Sequence, residues 1–188
     1  MAPNLRYPFN DRSFFTDSET EDIGGGIELW RGYLQSLRPA IGRMLINVDI
    51  STGAMYTSGQ LIDLALAFLN LAPNEPDALA PRGGLPDRER VRLQRFLTGL
   101  KITTSSGQRE PGRQGPRPRM ILKLSKEGAN DLRFELDNGQ QTTVAGYFRG
   151  VGVPLRHPDV ICVQVCIGLH GRPLSTIDAA PRSSRPVL

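Results

Sequence analysis

The spacing of apolar residues changes several times along this chain, and each change predicts a different element. Residues 1–23 are polar, show no periodicity and read as an extended segment. After Ile27 the run ELWRGYLQSLR mixes apolar and polar positions. In Met44–Ser51, Leu45, Asn47 and Asp49 alternate with Ile46, Val48 and Ile50, which predicts a buried β-strand. Ser58–Leu71 follows another period. Leu61, Ile62, Ala65, Leu66, Phe68 and Leu69 recur at helical spacing, and Ser58 or Gly59 can open the helix. Pro73, Pro76, Pro81 and the Gly83-Gly84 pair then break the pattern and mark a domain boundary.

Beyond that boundary Asp87 can cap a second helix, with Val91, Leu93, Phe96, Leu97 and Leu100 apolar and arginines 88, 90, 92 and 95 outward. Gly99 ends it. Leu100–Thr104 is β-branched and predicts a strand, followed by a loop over 105–118 rich in Gly, Pro, Arg and Gln. Met120–Ser125 and Leu132–Leu136 predict two more strands, with a turn over Gly128–Asp131. Asn138-Gly139 is a tight-turn signal. Thr143 can cap a short helix running through Phe148, and Val160–Val165 reads as an apolar strand. The tail from Ala179 should be loose.

Composition narrows the class. A chain of 188 residues with 39% hydrophobic content can bury a core, while 20 glycines and 15 prolines imply many turns. The net charge of +4 conceals an asymmetry. The stretch up to Pro81 carries roughly −5, and the stretch from Arg82 to Arg133 roughly +8. Positive charge concentrated in mid-chain points to a polyanionic partner. No apolar run approaches the roughly 20 residues that span a bilayer. The start, MAPNLRYPFNDR, lacks the apolar core of a signal peptide, and the 2 cysteines fit a reducing compartment, hence the cytoplasm.

Two ordered strings then carry a family resemblance. The first is Arg12-Ser13-Phe14-Phe15, Gly25-Gly26, Trp30, Gln35-Ser36, Arg38-Pro39-Ala40, Asn47, Asp49 and Ser51. It resembles the first linker of Argonaute proteins, over residues 12–72. The second comprises Gly107-Gln108, Phe134, Asn138-Gly139, Val144-Ala145, Tyr147-Phe148, Pro158, Cys162 and Gln164-Val165. It resembles the Argonaute PAZ domain, over 91–178. The chain is thus identified as a fungal-like Argonaute piece, linker 1 plus PAZ.

The resemblance implies an α+β fold: a linker of strands plus a helix, then a PAZ-type OB-like β-barrel with an inserted hairpin and helix. Its expected division is a flexible segment at 1–23, the linker at 24–74, a Pro/Gly-rich connector at 75–86, PAZ at 87–178 and a tail at 179–188. It also implies a function, noncatalytic recognition of the 3′ end of a small single-stranded guide RNA in gene silencing. Other Argonaute domains or silencing proteins are further expected partners. No cofactor, membrane or small-molecule substrate is expected. The family's cutting and 5′-phosphate domains would lie beyond Leu188.

An unpaired terminal base needs a π face to stack on, and its phosphates need cations or hydroxyl donors. By position, Phe134 and Tyr147 correspond to pocket aromatics of the family, Phe134 as wall or stacking face and Tyr147 as hydroxyl donor. Arg117, Arg119, Lys123 and Arg149 complete the candidate set. Strand alternation places 119, 121 and 123 on one face, a cationic strip interrupted by Ile121. This sequence departs from the family at Ser105, where many animal members have His, at Arg119 or a neighbour in place of Tyr, and near Val151 or Gly152 in place of a second Tyr. Those losses support an alternative, a degenerate linker–PAZ unit serving as a protein-interaction scaffold without useful RNA affinity.

One string invites a zinc reading: His157, Cys162, Cys166 and His170. If Val160–Cys166 is extended, the two Cys Cα atoms lie roughly 13 Å apart. Thiolates sharing one zinc sit about 2.3 Å from the metal, so an extended run excludes a shared site. The sequence shows no carboxylate cluster, nucleophile elbow or cofactor loop, and the Gly24–Gly26 triple lacks the lysine a P-loop requires. No enzyme activity is expected.

Overall fold

A computed structural model describes residues 6–8, 11–82, 84–103, 118–136, 138–165 and 175–176. The chain divides into two compact units between Thr57 and Ser58.

The first unit is an antiparallel sheet of β1 (Arg6–Pro8), β2 (Ser13–Gly24), β3 (Ile27–Ala40) and β4 (Arg43–Tyr56), in that order. Its buried cluster is Phe15, Trp30 and Met55. Two glycines on the neighbouring strands make room for the Phe15 ring. A Cβ on Gly53 would stand 2.8 Å from Phe15 Cε1, and one on Gly32 2.6 Å from Cδ1. The indole N–H of Trp30 donates to Glu28 Oε2 at 3.0 Å, so the buried ring keeps its one polar atom satisfied.

The β3–β4 hairpin outruns the rest of this sheet. Its register is continuous from Ile27 opposite Tyr56 to Ala40 opposite Arg43, closed by Ile41-Gly42 with Gly42 at φ +73°. β2 meets β3 only as far as Ser13 opposite Leu34. Beyond that point the arm is two-stranded. The register puts Tyr33, Ile50, Val48, Leu37, Ile46 and Met44 on one face, with Asp49, Asn47, Ser36 and Arg38 on the other. Met44, Ile46, Val48 and Ile50 are 60–89% exposed. The expectation that Met44–Ser51 is a strand holds, but its burial does not. Alternation shows which residues share a face, not whether anything covers it.

The second unit begins with α1 (Leu61–Phe68), a 3-10 turn at Pro76–Leu79 and α2 (Asp87–Leu97). Its main sheet has the order β10 (Ser175–Thr176), β9 (Ile161–Val165), β6 (Arg119–Gly128), β5 (Lys101–Ile102). A separate hairpin of β7 (Arg133–Glu135) and β8 (Gln141–Thr143) leads into α3 (Val144–Gly150). This is the expected α+β class with a hairpin–helix insert. Among the described residues β5 and β10 are not paired with each other. Leu93, Leu97, Ile121, Ile161, Val163 and Val165 are fully buried.

Local signals in the sequence act as expected. The Thr143 hydroxyl accepts the Gly146 amide at 3.0 Å, capping α3. Gly139 takes φ +80° in the β7–β8 turn, and Gly99 takes φ +89° just past α2. Asp87 is the first residue of α2 rather than its cap, which is Pro86, and its carboxylate instead binds Arg90. α1 starts at Leu61 with no side-chain cap, so neither Ser58 nor Gly59 is its cap residue. The 105–117 part of the Arg-rich loop, the Gly107-Gln108 pair and the tail from Ala179 lie outside the described residues.

Candidate nucleic-acid interface

The insert is held to the outer side of the sheet by a small apolar cluster. Ala129, Val144, Ala145 and Cys162 are buried in it, with Leu132, Phe134, Phe148 and Leu155 packed around them. α3 is short because Thr143 fixes its start and Gly150 its end. Its seven residues put Val144 and Ala145 inward and leave Tyr147 42% exposed.

Phe134 and Tyr147 meet. Their ring centroids are 5.7 Å apart with planes at 72°, and Tyr147 also meets Phe148 edge-on at 5.6 Å. Edge-to-face contact lets each ring edge meet the next ring's negative face. Phe134 is half-buried, while Tyr147 presents ring and hydroxyl to solvent. The Tyr147 hydroxyl has no hydrogen-bond partner among the described residues.

The cations are dispersed. Arg119 opens β6 opposite Ile102 and is half-buried. Lys123 lies on the other side of the strand, which corrects the expected cationic strip. Ile121 pairs with Val165, but Lys123 pairs with Gln164. Two steps along β6 match one step along β9, the mark of a β-bulge, so Lys123 faces away from Ile121. Arg149 is exposed in the last turn of α3. It stands two positions beyond Tyr147, roughly 200° around the helix, and so does not share its face. Arg117 lies outside the described residues. Of the six candidates, the structure therefore brings together Phe134 and Tyr147.

Past Ile121, where β5 stops pairing, an edge of β6 that sequence reading misses faces α2. The Leu124 amide donates to Gln94 Oε1 at 3.0 Å, and the Thr98 hydroxyl lies 3.4 Å from the Leu122 carbonyl. Between α2 and this edge lies a cleft of about 620 Å³ whose wall includes Lys123 and Gln164. Arg90, expected to face outward, is 11% exposed in its side chain and also lines the cleft. No local signal marks these residues, since a bulge is a mismatch between two strands.

Cys162 is a buried free thiol on β9. Burial pushes its pKa up to about 12, against the lowering effect of Ser125, whose Oγ also accepts the Cys162 amide at 2.7 Å. Cys166 and His170 of the zinc string lie outside the described residues. Among the described residues no three His, Cys, Asp or Glu side chains are grouped to hold a metal ion. No helix among them is long and apolar enough to cross a membrane.

Residues 11–57 match the family model of the Argonaute linker 1 domain. The second unit finds its counterpart in a Drosophila Argonaute PAZ domain solved in complex with 3′-end 2′-O-methylated RNA. That structure is 26% identical, with 66% of this chain and 97% of the other covered at TM-score 0.50. The chain is Argonaute-like, a linker 1 followed by a PAZ-like domain. Kluyveromyces polysporus Argonaute, solved with a guide RNA, shares the fold at 14% identity and TM-score 0.62, over 97% of this chain but 22% of its own length. The Drosophila Argonaute2 PAZ domain is 26% identical over 60% of this chain and 86% of its own, at TM-score 0.42. The insert carrying Phe134 and Tyr147 thus sits in the PAZ-like unit, and the exposed hairpin arm belongs to linker 1.

Proposed function

We propose that the PAZ-like unit is a noncatalytic RNA-binding module that seats the 3′ end of a small single-stranded RNA in gene silencing. The observation that carries this reading is the solvent-facing Tyr147 ring and hydroxyl, backed edge-on by Phe134 on the insert. A terminal base stacks against such a surface with about 1–3 kcal/mol per base, and the hydroxyl donates to a phosphate oxygen. Arg119, Lys123 and Arg149 supply charge spread over β6 and α3 rather than within one pocket, and Arg117 is a further candidate cation. The likeness to a PAZ domain bound to 3′-end-modified RNA supports the same reading. The test compares a short single-stranded RNA with the same RNA blocked at its 3′ terminus. Tighter binding of the free end is expected. Equal affinity for both would reject end recognition and leave a salt-sensitive phosphate binder.

A specific observation favours a second reading. The apolar face of the β3–β4 arm, with Leu37, Met44, Ile46, Val48 and Ile50 each at least 60% exposed, suits a protein-interaction scaffold. Partners in that case are other Argonaute domains or silencing proteins, in the cytoplasm. A chain that folds but shows no measurable affinity for either RNA would favour it.

A further inference from the structure

We infer that the cleft between α2 and the bulged edge of β6 is a second binding site, for a nucleoside monophosphate unit. It does not depend on the aromatic patch, because neither Phe134 nor Tyr147 lines it. At about 620 Å³ it falls within the roughly 300–1,000 Å³ of small-ligand clefts.

The chemistry of its wall selects the ligand. Leu132 is the partly exposed apolar residue of the lining, with Leu124, Cys162 and Val163 buried behind it, and it offers a flat ring an apolar contact. Arg90, Lys123 and Lys126 stand around it, with Glu127 as the one carboxylate. Lys123, Lys126 and Glu127 have no ion-pair partner among the described residues. With Arg90 paired to Asp87, the unpaired charge of the lining is +1, two lysines against one carboxylate, which favours a phosphate over a second cation.

The free polar groups are mostly donors. Arg90 directs Nε and Nη2 to Asp87 Oδ1, at 2.9 and 2.7 Å, and leaves Nη1 unpaired among the described residues although its side chain is only 11% exposed. Gln94 spends Oε1 on the Leu124 amide, which leaves its NH₂ free. The Gln164 carboxamide likewise has no partner among the described residues. These half-buried donors have no acceptor among the described residues, and what complements them is a ligand rich in acceptors. A phosphate beside a pyrimidine offers them: phosphate oxygens to the three cations, ring carbonyls to the two carboxamides. The bulge turns Lys123 to the side of Gln164, away from Ile121, and the end of β5 pairing leaves the Leu124 amide for Gln94.

The experiment is a titration of isotopically labelled protein, the whole chain, followed by amide NMR. The probes are uridine 5′-monophosphate, uridine, inorganic phosphate and an oligouridine blocked at its 3′ end. The monophosphate should give saturating shifts at the Lys123, Lys126, Leu132 and Gln164 amides and the Gln94 side-chain amide. It should bind at least tenfold tighter than uridine or phosphate alone. The same shifts with oligouridine would identify the unit as part of a strand, and shifts with the monophosphate alone would identify a free nucleotide. Lys126→Glu should weaken monophosphate binding at the cleft about tenfold, as for one charge-assisted contact. No shifts at these amides, shifts confined to the Phe134–Tyr147 patch, or phosphate binding as tightly as the nucleotide would overturn the assignment. Loss of free-end preference in the blocked-RNA comparison, with the cleft shifts intact, would sink the end-binding reading alone.

Discussion

The Gln94 carboxamide oxygen accepts the Leu124 amide at 3.0 Å, replacing the strand partner that β6 lacks there. β5 serves the edge only as far as Ile121, whose amide reaches the Leu100 carbonyl at 2.9 Å. Beyond it, α2 does the work of a strand with one side chain.

Gln94→Leu therefore leaves a partly buried amide without an acceptor. A loss of about 1–3 kcal/mol is expected. Urea unfolding should show a lower midpoint with unchanged slope, and Gln94→Glu, which keeps an acceptor, should recover most of it. A Leu variant as stable as the parent would mean that water satisfies Leu124.

Cys162 predicts a pH dependence. Its thiol ionises near 9.0 when unfolded and is pushed up to about 12 in the fold by burial. The folded state thus keeps the proton longer than the unfolded state. The stability it contributes is whole below about pH 9 and is lost as pH rises toward about 12. In native protein at pH 8 Cys162 should resist thiol reagents and react once unfolded, as followed by peptide mass apart from Cys166; rapid native labelling at Cys162 would contradict this burial.

In linker 1, Gly53→Ala pushes a methyl against the Phe15 ring. Overpacking of this kind costs about 1–3 kcal/mol. Thermal melting should drop, and Phe15→Leu in the same chain should relieve part of the penalty, because the clash is with the ring. Independent, additive losses would place the strain elsewhere.

Tyr147 separates its two roles. Tyr147→Phe removes the hydroxyl and keeps the ring, with an expected loss of about five- to tenfold in affinity for free-ended RNA. Tyr147→Ala also removes stacking and should lose about tenfold or more. Because the ring is 42% exposed, neither change should lower the melting temperature much. A Phe variant that binds like the parent would assign Tyr147 to packing against Phe134 alone.

Several features were legible because they are local. The Thr143 cap involves Gly146 three residues on, and the Asn138-Gly139 turn closes through a Gly139 amide to Leu136 carbonyl bond of 2.9 Å. The aromatic pair was legible through resemblance, since nothing in the spacing of Phe134 and Tyr147 says that their rings touch. The fate of Met44–Ser51 was only half legible: the alternation identifies the faces, and the end of β2 leaves one bare.

Residue order thus dictated helices, turns and strands here, since caps, glycine torsions and apolar period act over about four residues of chain. It could not say that Lys123 turns from Ile121, that the Arg90 side chain is largely covered or that the β4 face stays uncovered. Those outcomes came from assembly, because a bulge or a buried cation exists only once segments far apart in the chain are brought side by side.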